Sequence, residues 1–156
     1  KTSAMVFIIL FGASAFTGIF MSLDGDQLIA DWIAGVGIGK WGAFAIMMAI
    51  VFIMGMFIDW LGIVMIVFPI FLPIMDMFGF DRLWIVAVTA VMLQTCFMTP
   101  PFGFALFYIK GIVPDTVKIQ DIYRGVIPFI LIIIFVVVLV TVFPGIVHWL
   151  PDLIAQ

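Results

Sequence analysis

Long apolar runs fill this chain, and short polar clusters separate them. The first run, Met5 to Leu23, is rich in Phe and Ile and predicts a helix long enough to span a bilayer. Within it, Gly12, Ala13, Ser14 and Ala15 form a small-residue patch suited to close helix packing. Asp24-Gly25-Asp26 ends the run in a polar setting. From Gln27 to Gly35, Leu28, Ile29, Trp32 and Ile33 recur at helical spacing, while Asp26, Gln27 and Asp31 fall elsewhere on the wheel. That pattern predicts a short helix lying in the membrane interface, with a plain connecting loop as the alternative.

Two short apolar arms follow, Trp41 to Phe57 and Ile63 to Met77, the second interrupted by Pro69 and Pro73. Each arm is about 15 to 17 residues, near the lower limit for crossing. They are joined by Gly55-Met56-Phe57-Ile58-Asp59-Trp60-Leu61-Gly62. Length and periodicity leave two readings open. The arms are either two short spans joined at the far interface, with Asp59 as an interfacial acid beside an aromatic anchor, or a re-entrant hairpin with Asp59 at its tip. A carboxylate at depth is costly and marks function by default.

Asp76 to Arg82 is a polar turn, and a long apolar segment then runs from Trp84 to Val113. It contains Leu93-Gln94-Thr95-Cys96-Phe97-Met98-Thr99-Pro100-Pro101-Phe102-Gly103. Tandem prolines cannot sit in an unbroken helix, because each lacks an N–H and its ring clashes with the carbonyl four residues back. The carbonyls of Cys96 and Phe97 therefore lose their helical donors, and Gly103 permits unusual backbone geometry. The expectation is two half-helices meeting between Phe97 and Gly103, with free carbonyls and free Thr95 and Thr99 hydroxyls at bilayer depth. Such backbone survives there only when buried in protein or lining a wet cavity, and broken helices form ion and substrate sites in secondary transporters. A simple proline kink is the plainer alternative. Val113 to Arg124 reads as the most polar loop. The last span runs from Val126 to about Phe143, closed by Pro144-Gly145 and Trp149-Leu150-Pro151, with His148 as interfacial decoration.

Composition fixes the class. Of 156 residues, 67% are hydrophobic and only 10% charged, and the mean hydropathy is +1.43. Soluble domains are about half apolar, so this is an all-α integral membrane protein. The net charge of −3 comes with no basic patch, which argues against a nucleic-acid partner. The single cysteine, Cys96, allows no internal disulfide and has no neighbouring ligand for a metal site. The chain opens without an initiator Met and reads as a piece of a longer protein. Lys1, Lys110, Lys118 and Arg124 fall on one side, Lys40 and Arg82 on the other. The positive-inside rule then puts the N-terminal end and the 114–124 loop in the cytoplasm.

These motifs resemble the large membrane subunit of the tripartite ATP-independent periplasmic (TRAP) transporters. The resemblance lies in Gly55 to Asp59, Phe68-Pro69-Ile70-Phe71-Leu72-Pro73, Leu93 to Gly103, Phe104 to Tyr108 and Ile122 to Phe129. Order and spacing match across essentially the whole chain, which corresponds to the C-terminal third or so of that subunit. The variant at 102–108 resembles the branch labelled for C4-dicarboxylates. The resemblance implies an elevator-type secondary transporter of two inverted repeats in a bacterial inner membrane. It implies that this chain is the second repeat: a spanning and an interfacial helix over 1–40, a re-entrant hairpin over 41–81, a broken membrane helix over 82–113, and a cytoplasmic loop with a final span over 114–156.

It also implies coupling sodium ions at Gly55, Asp59, Cys96, Thr99 and Pro101, with no other cofactor or metal. An organic-acid solute, a dicarboxylate or related carboxylate, would bind near Thr95, Thr99, Phe102 and Gly103. The implied partners are a small membrane subunit, a periplasmic solute-binding protein and the lipid bilayer. Two departures stand out: the branch often has Asn where this chain has Met92, and Ser or Gly where it has Cys96. If a side-chain oxygen is needed at 96, sulfur is a poor substitute, since hard cations prefer oxygen. The residues independently offer hard oxygens for a cation, and a second half-helix whose N-terminus near Gly103 suits a carboxylate. No catalytic constellation or nucleotide loop is present in the sequence, so an enzyme is not expected. A passive channel or structural membrane module is the competing class.

Overall fold

The computed structural model describes residues 2–101, 103–114 and 116–154, and among them there are helices and no strands. Helix α1 (Thr2–Ser22) is followed by α2 (Gly25–Gly35). The two meet at a 68° bend, where Asp24 adopts a positive φ of 53°. Helices α3 (Lys40–Gly55) and α4 (Trp60–Met77) form an antiparallel hairpin, and α5 (Arg82–Leu93) runs into a 3₁₀ turn over Gln94–Phe97. After an irregular stretch come α6 (Phe104–Ile112), α7 (Ile119–Val142) and α8 (Gly145–Ile154). Among the described residues, α4 and α7 are long and apolar enough to cross a membrane, and the bent α1–α2 pair passes as a third span if it is taken together.

One core holds the assembly. Ala43, Met47 and Val51 of α3, Ile63, Val67 and Ile74 of α4, and Ile85 and Val88 of α5 are buried together. Helix α1 lies along α4, and α7 lies along α5. A smaller cluster, Leu106, Ile122 and Val126, joins α6 to the start of α7. Phe7, Ile8, Phe11 and Ile19 on α1 and Leu131, Ile132 and Phe135 on α7 are exposed, as expected of surfaces that meet lipid rather than water.

Prolines explain two of the polar contacts between helices. Pro69 lies four residues after Met65 and Pro144 four after Val140, so both carbonyls lack the N–H that would close the helical bond. In each case another helix supplies the donor. Thr17 Oγ1 of α1 donates to the Met65 carbonyl (3.2 Å), and Trp84 Nε1 of α5 donates to the Val140 carbonyl (3.1 Å). Trp84 is also the centre of an aromatic cluster at the base of the hairpin. Its ring stacks on Phe80 (5.5 Å between centroids) and meets Phe44 (5.1 Å) and Trp41 (6.3 Å).

Several expectations change in detail. The small-residue patch does not serve as a seam: of Gly12 to Ala15 only Ala13 is buried, because α1 meets α4 through the stripe containing Ala13 and Thr17. The last helix starts at Ile119 instead of Val126. Lys118 N–H donates to Asp121 Oδ2 (3.2 Å), and that cap starts a helix inside the segment read as loop. Pro144-Gly145 closes the last span as expected, since α7 ends at Val142, and it also opens α8, where Pro occupies the tolerated position before a first turn. His148 on α8 is more than decoration, since its Nε2 lies 3.5 Å from Asp81 Oδ1. Asp81 Oδ1 also accepts the Trp84 N–H (2.8 Å), capping α5. Lys40 Nζ donates to the Gly79 carbonyl (2.9 Å), and Arg82 forks onto the Asp76 carboxylate. These contacts gather the hairpin base, the start of α5 and the end of α7 at one end of the bundle.

Trp84→Phe keeps most of the ring packing but leaves the Val140 carbonyl without a donor. It should cost about 1 kcal/mol, read as a lower thermal-unfolding midpoint of the purified full-length protein in detergent. An unchanged midpoint would show that the indole bond contributes nothing.

Candidate functional site

Two pieces of irregular backbone meet inside the bundle. The first is the hairpin tip. Helix α3 stops at Gly55, and the N–H groups of Met56 and Phe57 donate to the carbonyls of Ile53 (3.1 Å) and Met54 (2.9 Å). Ile58 N–H also donates to Met54 (2.8 Å). Asp59 is extended (φ −65°, ψ 147°) and stands at the N-cap of α4, where its carbonyl accepts from Ile63 N–H (3.1 Å). Its carboxylate makes no capping bond and has no hydrogen bond or ion pair among the described residues. The first N–H groups of α4 are therefore left without the side-chain acceptor that an Asp at this position normally provides.

The second piece is the end of α5. The helix tightens to 3₁₀ geometry at Gln94, earlier than the expected start at Phe97. The Thr95 carbonyl takes three donors: Met98 N–H (3.0 Å), Thr99 N–H (2.8 Å) and Thr99 Oγ1 (2.7 Å). Thr95 Oγ1 donates to the Met92 carbonyl (2.7 Å). The two hydroxyls are thus not free. Each spends its proton on the preceding turn, the usual behaviour of threonine in a helix, and keeps its lone pairs. The carbonyls of Cys96 and Phe97 receive no hydrogen bond among the described residues, as the prolines dictate. The Pro100–Pro101 peptide is cis.

Gly103 closes the stretch. Its N–H donates to the Thr99 carbonyl (3.1 Å), so this amide is not available to a carboxylate. A Cβ on Gly103 would sit 3.0 Å from the Phe97 carbonyl oxygen, which is why glycine is needed here.

The tip and the break touch at Gly55. A Cβ built on it would collide with Cys96 Sγ and lie 3.4 Å from Cys96 Cβ and 3.5 Å from its Cα. Only a residue without a side chain lets the hairpin reach the 3₁₀ turn this closely. Gly55, Thr95, Cys96, Thr99 and Gly103 are all buried, Asp59 is half-buried, and Pro101 is exposed. Phe102 lies outside the described residues. The structure therefore joins Gly55 to Cys96, Thr95 to Thr99 and Thr99 to Gly103. The Asp59 side chain makes no hydrogen bond or ion pair to them or to any other described residue.

One polar residue of this region escaped the sequence reading. Gln94 is exposed on the 3₁₀ turn and faces an apolar groove between α4 and α5. The signal was available, since it is the only carboxamide between Trp84 and Val113.

Gly55→Ala should lower the unfolding midpoint by an amount corresponding to about 1–3 kcal/mol, the usual cost of overpacking. Adding Cys96→Ala removes the colliding sulfur and should recover most of that loss, a coupling read by the double-mutant cycle. Strict additivity of the two changes would show that the tip and the break do not touch.

Comparison with known proteins identifies the family. Residues 1–146 match the family model described as "Tripartite ATP-independent periplasmic transporter, DctM component". The isethionate TRAP transporter permease protein DctMQ of Oleidesulfovibrio alaskensis is 30% identical over 145 residues, 93% of this chain and 22% of that protein. The sialic acid TRAP transporter permease protein SiaT of Haemophilus influenzae is 29% identical over 126 residues, 81% of this chain and 20% of the relative. The C4-dicarboxylate TRAP transporter large permease protein DctM of Pseudomonas aeruginosa is 25% identical over 152 residues, 97% of this chain and 35% of the relative. The chain thus spans about a fifth to a third of the length of these relatives. With a family match over nearly all its length and an all-helical apolar fold, the chain belongs to the DctM-component family of tripartite ATP-independent periplasmic transporters.

Proposed function

We propose that this chain forms the second inverted repeat of a sodium-coupled, elevator-type transporter subunit that moves small organic acids across a bacterial inner membrane. In this reading α3 and α4 are a re-entrant hairpin, and α5 to α6 is a membrane helix broken at its middle. Sodium binds where tip and break meet, with the Cys96 and Phe97 carbonyls, the Thr99 hydroxyl and the Asp59 carboxylate as its oxygen donors. The thiol of Cys96 takes no part, which removes the concern that sulfur stands at an oxygen position. Pro101 contributes only by withholding an N–H. Thr95, Thr99 and the start of α6 border the solute. The Gly103 amide is already bonded within the chain, so the bound sodium carries most of the attraction for the anion.

The observation that supports this reading best is the Gly55–Cys96 approach. It brings the hairpin tip, four residues before Asp59, against the side chain and Cα of Cys96, whose carbonyl, like that of Phe97, loses its helical donor to proline. Oxygen ligands of this kind suit a hard cation, and irregular backbone at depth is characteristic of transporter sites. The remaining parts of the machine, a small membrane subunit and a periplasmic solute-binding protein, are expected from the family. The solute is an organic acid. A dicarboxylate is one member of that class, beside the sialic acid and isethionate in the relatives' names. The excess of Lys and Arg at the N-terminal end and over 114–124 puts that face in the cytoplasm.

Thr99→Val preserves shape and removes one ligand oxygen. In the complete transporter it should raise the sodium concentration for half-maximal uptake, with assembly and insertion intact. The expected loss is about 1–3 kcal/mol, and linkage weakens solute affinity by the same coupling factor. An unchanged sodium dependence would remove the hydroxyl from the site and leave only the carbonyls. If the double variant Pro100→Ala, Pro101→Ala is unchanged too, the site is not at the break.

A further inference from the structure

Helix α8 carries a face that no described residue covers. Ile146, Trp149, Leu150, Leu153 and Ile154 recur at the i, i+3, i+4, i+7, i+8 spacing of one helix face, and each is more than half exposed. The opposite face is polar, with His148 and Asp152 one turn apart. The helix meets the bundle along an edge. Val147 packs on the main core, and His148 Nε2 lies 3.5 Å from Asp81 Oδ1 at the start of α5. These two contacts fix the rotation of α8 about its axis and turn the apolar stripe away from the bundle.

Two independent features set its depth. Helix α7 has 24 residues. At 1.5 Å per residue that is ~36 Å, enough to cross a ~30 Å hydrocarbon core. Phe143 and Pro144 alone separate its end from α8, so α8 starts at the level where the span leaves the hydrocarbon. On the protein side α8 stands at the end of the bundle that carries Lys40, Asp81 and Arg82, all exposed. Charged groups of this kind are costly inside the hydrocarbon. Bulk water, in turn, would leave five large apolar side chains bare. An amphipathic helix at this level fits the boundary between lipid headgroups and acyl chains. Trp149, at its middle, is of the residue type enriched at that depth. Val142 and Phe143 are exposed too and continue the apolar surface from α7 towards α8. The helix has no Lys or Arg, so apolar burial, not attraction to anionic headgroups, would hold it there.

We propose that α8 is an interfacial helix lying along the membrane at the end of the bundle that holds the hairpin base. Phospholipid covers its apolar stripe, and the contact of His148 with Asp81 keeps its polar edge against the protein. This requires only that α7 crosses the membrane, and it is independent of the sodium site, the solute and any elevator motion.

The test uses the complete transporter in proteoliposomes of phosphatidylethanolamine and phosphatidylglycerol. A nitroxide is attached, one position at a time, to Trp149→Cys, Leu150→Cys, Leu153→Cys and Asp152→Cys. Cys96 is buried, and the unaltered transporter labelled in parallel supplies the background. Power saturation then compares collision with oxygen, which concentrates in acyl chains, and with a neutral nickel chelate, which stays in water. At 149, 150 and 153 oxygen should dominate severalfold, at a depth of about 5–10 Å, and at 152 the nickel chelate should dominate. Replacing phosphatidylglycerol by phosphatidylcholine should leave this pattern unchanged. Three positions report the same face, so a folding defect in one variant leaves the reading intact. Nickel dominating at all four positions would put α8 in water. Exclusion of both reagents from 149, 150 and 153 would show that a protein segment covers the stripe. Oxygen dominating at 152 as well would put the whole helix in the hydrocarbon. Each of these results overturns the proposal, and none of them bears on the sodium dependence of Thr99→Val.

Discussion

A backbone carbonyl stripped of its donor inside a membrane must find another partner, and this requirement organises the structure. Prolines create the problem repeatedly along the chain. At Met65 and Val140 it is solved by donors reaching over from a different helix, Thr17 and Trp84. Those two bonds tie α1 to the hairpin and α7 to α5. At Cys96 and Phe97 no donor arrives from the described residues, although Cys96 is buried and the hairpin tip is close against it. The same covalent defect is thus used structurally at two places and left open at a third. Carbonyls without a protein donor are the kind of oxygen a hard cation takes as ligand.

Close approach depends on glycine at two points. Gly55 lets α3 end against Cys96, and Gly103 lets the chain turn next to the Phe97 carbonyl. Neither position has a positive φ, so their role is spatial rather than conformational. The threonines then hold the break in shape by bonding to their own turn, and the three-donor carbonyl of Thr95 anchors the irregular stretch. Rigidity and exclusion of stray donors are met here by local bonds rather than by a large side-chain network.

Much of this was legible in the sequence. Apolar run lengths located α1, the hairpin and α7, and the tandem prolines located the break, because helix length and the missing N–H act locally. The start of α7 was misread because the cap at Lys118 and Asp121 lies within a polar segment, and polarity was read as loop. The patch from Gly12 to Ala15 was misread because composition does not say which face of α1 meets α4. The indole bond of Trp84 and the contact of His148 with Asp81 join residues far apart in sequence, and no periodicity carries such pairs. Gln94 was overlooked since its neighbours, the threonines and prolines, had the more familiar signatures.

The central claim is that the carbonyls freed at the break hold sodium. The most direct measurement is a high-resolution cryo-electron-microscopy comparison of the complete transporter in sodium chloride and in choline chloride. The account predicts a density peak bounded by the Cys96 and Phe97 carbonyls and the Thr99 hydroxyl in sodium, and its loss in choline. The same carbonyls hydrogen-bonded to a protein donor, unchanged between the two salts, would contradict it.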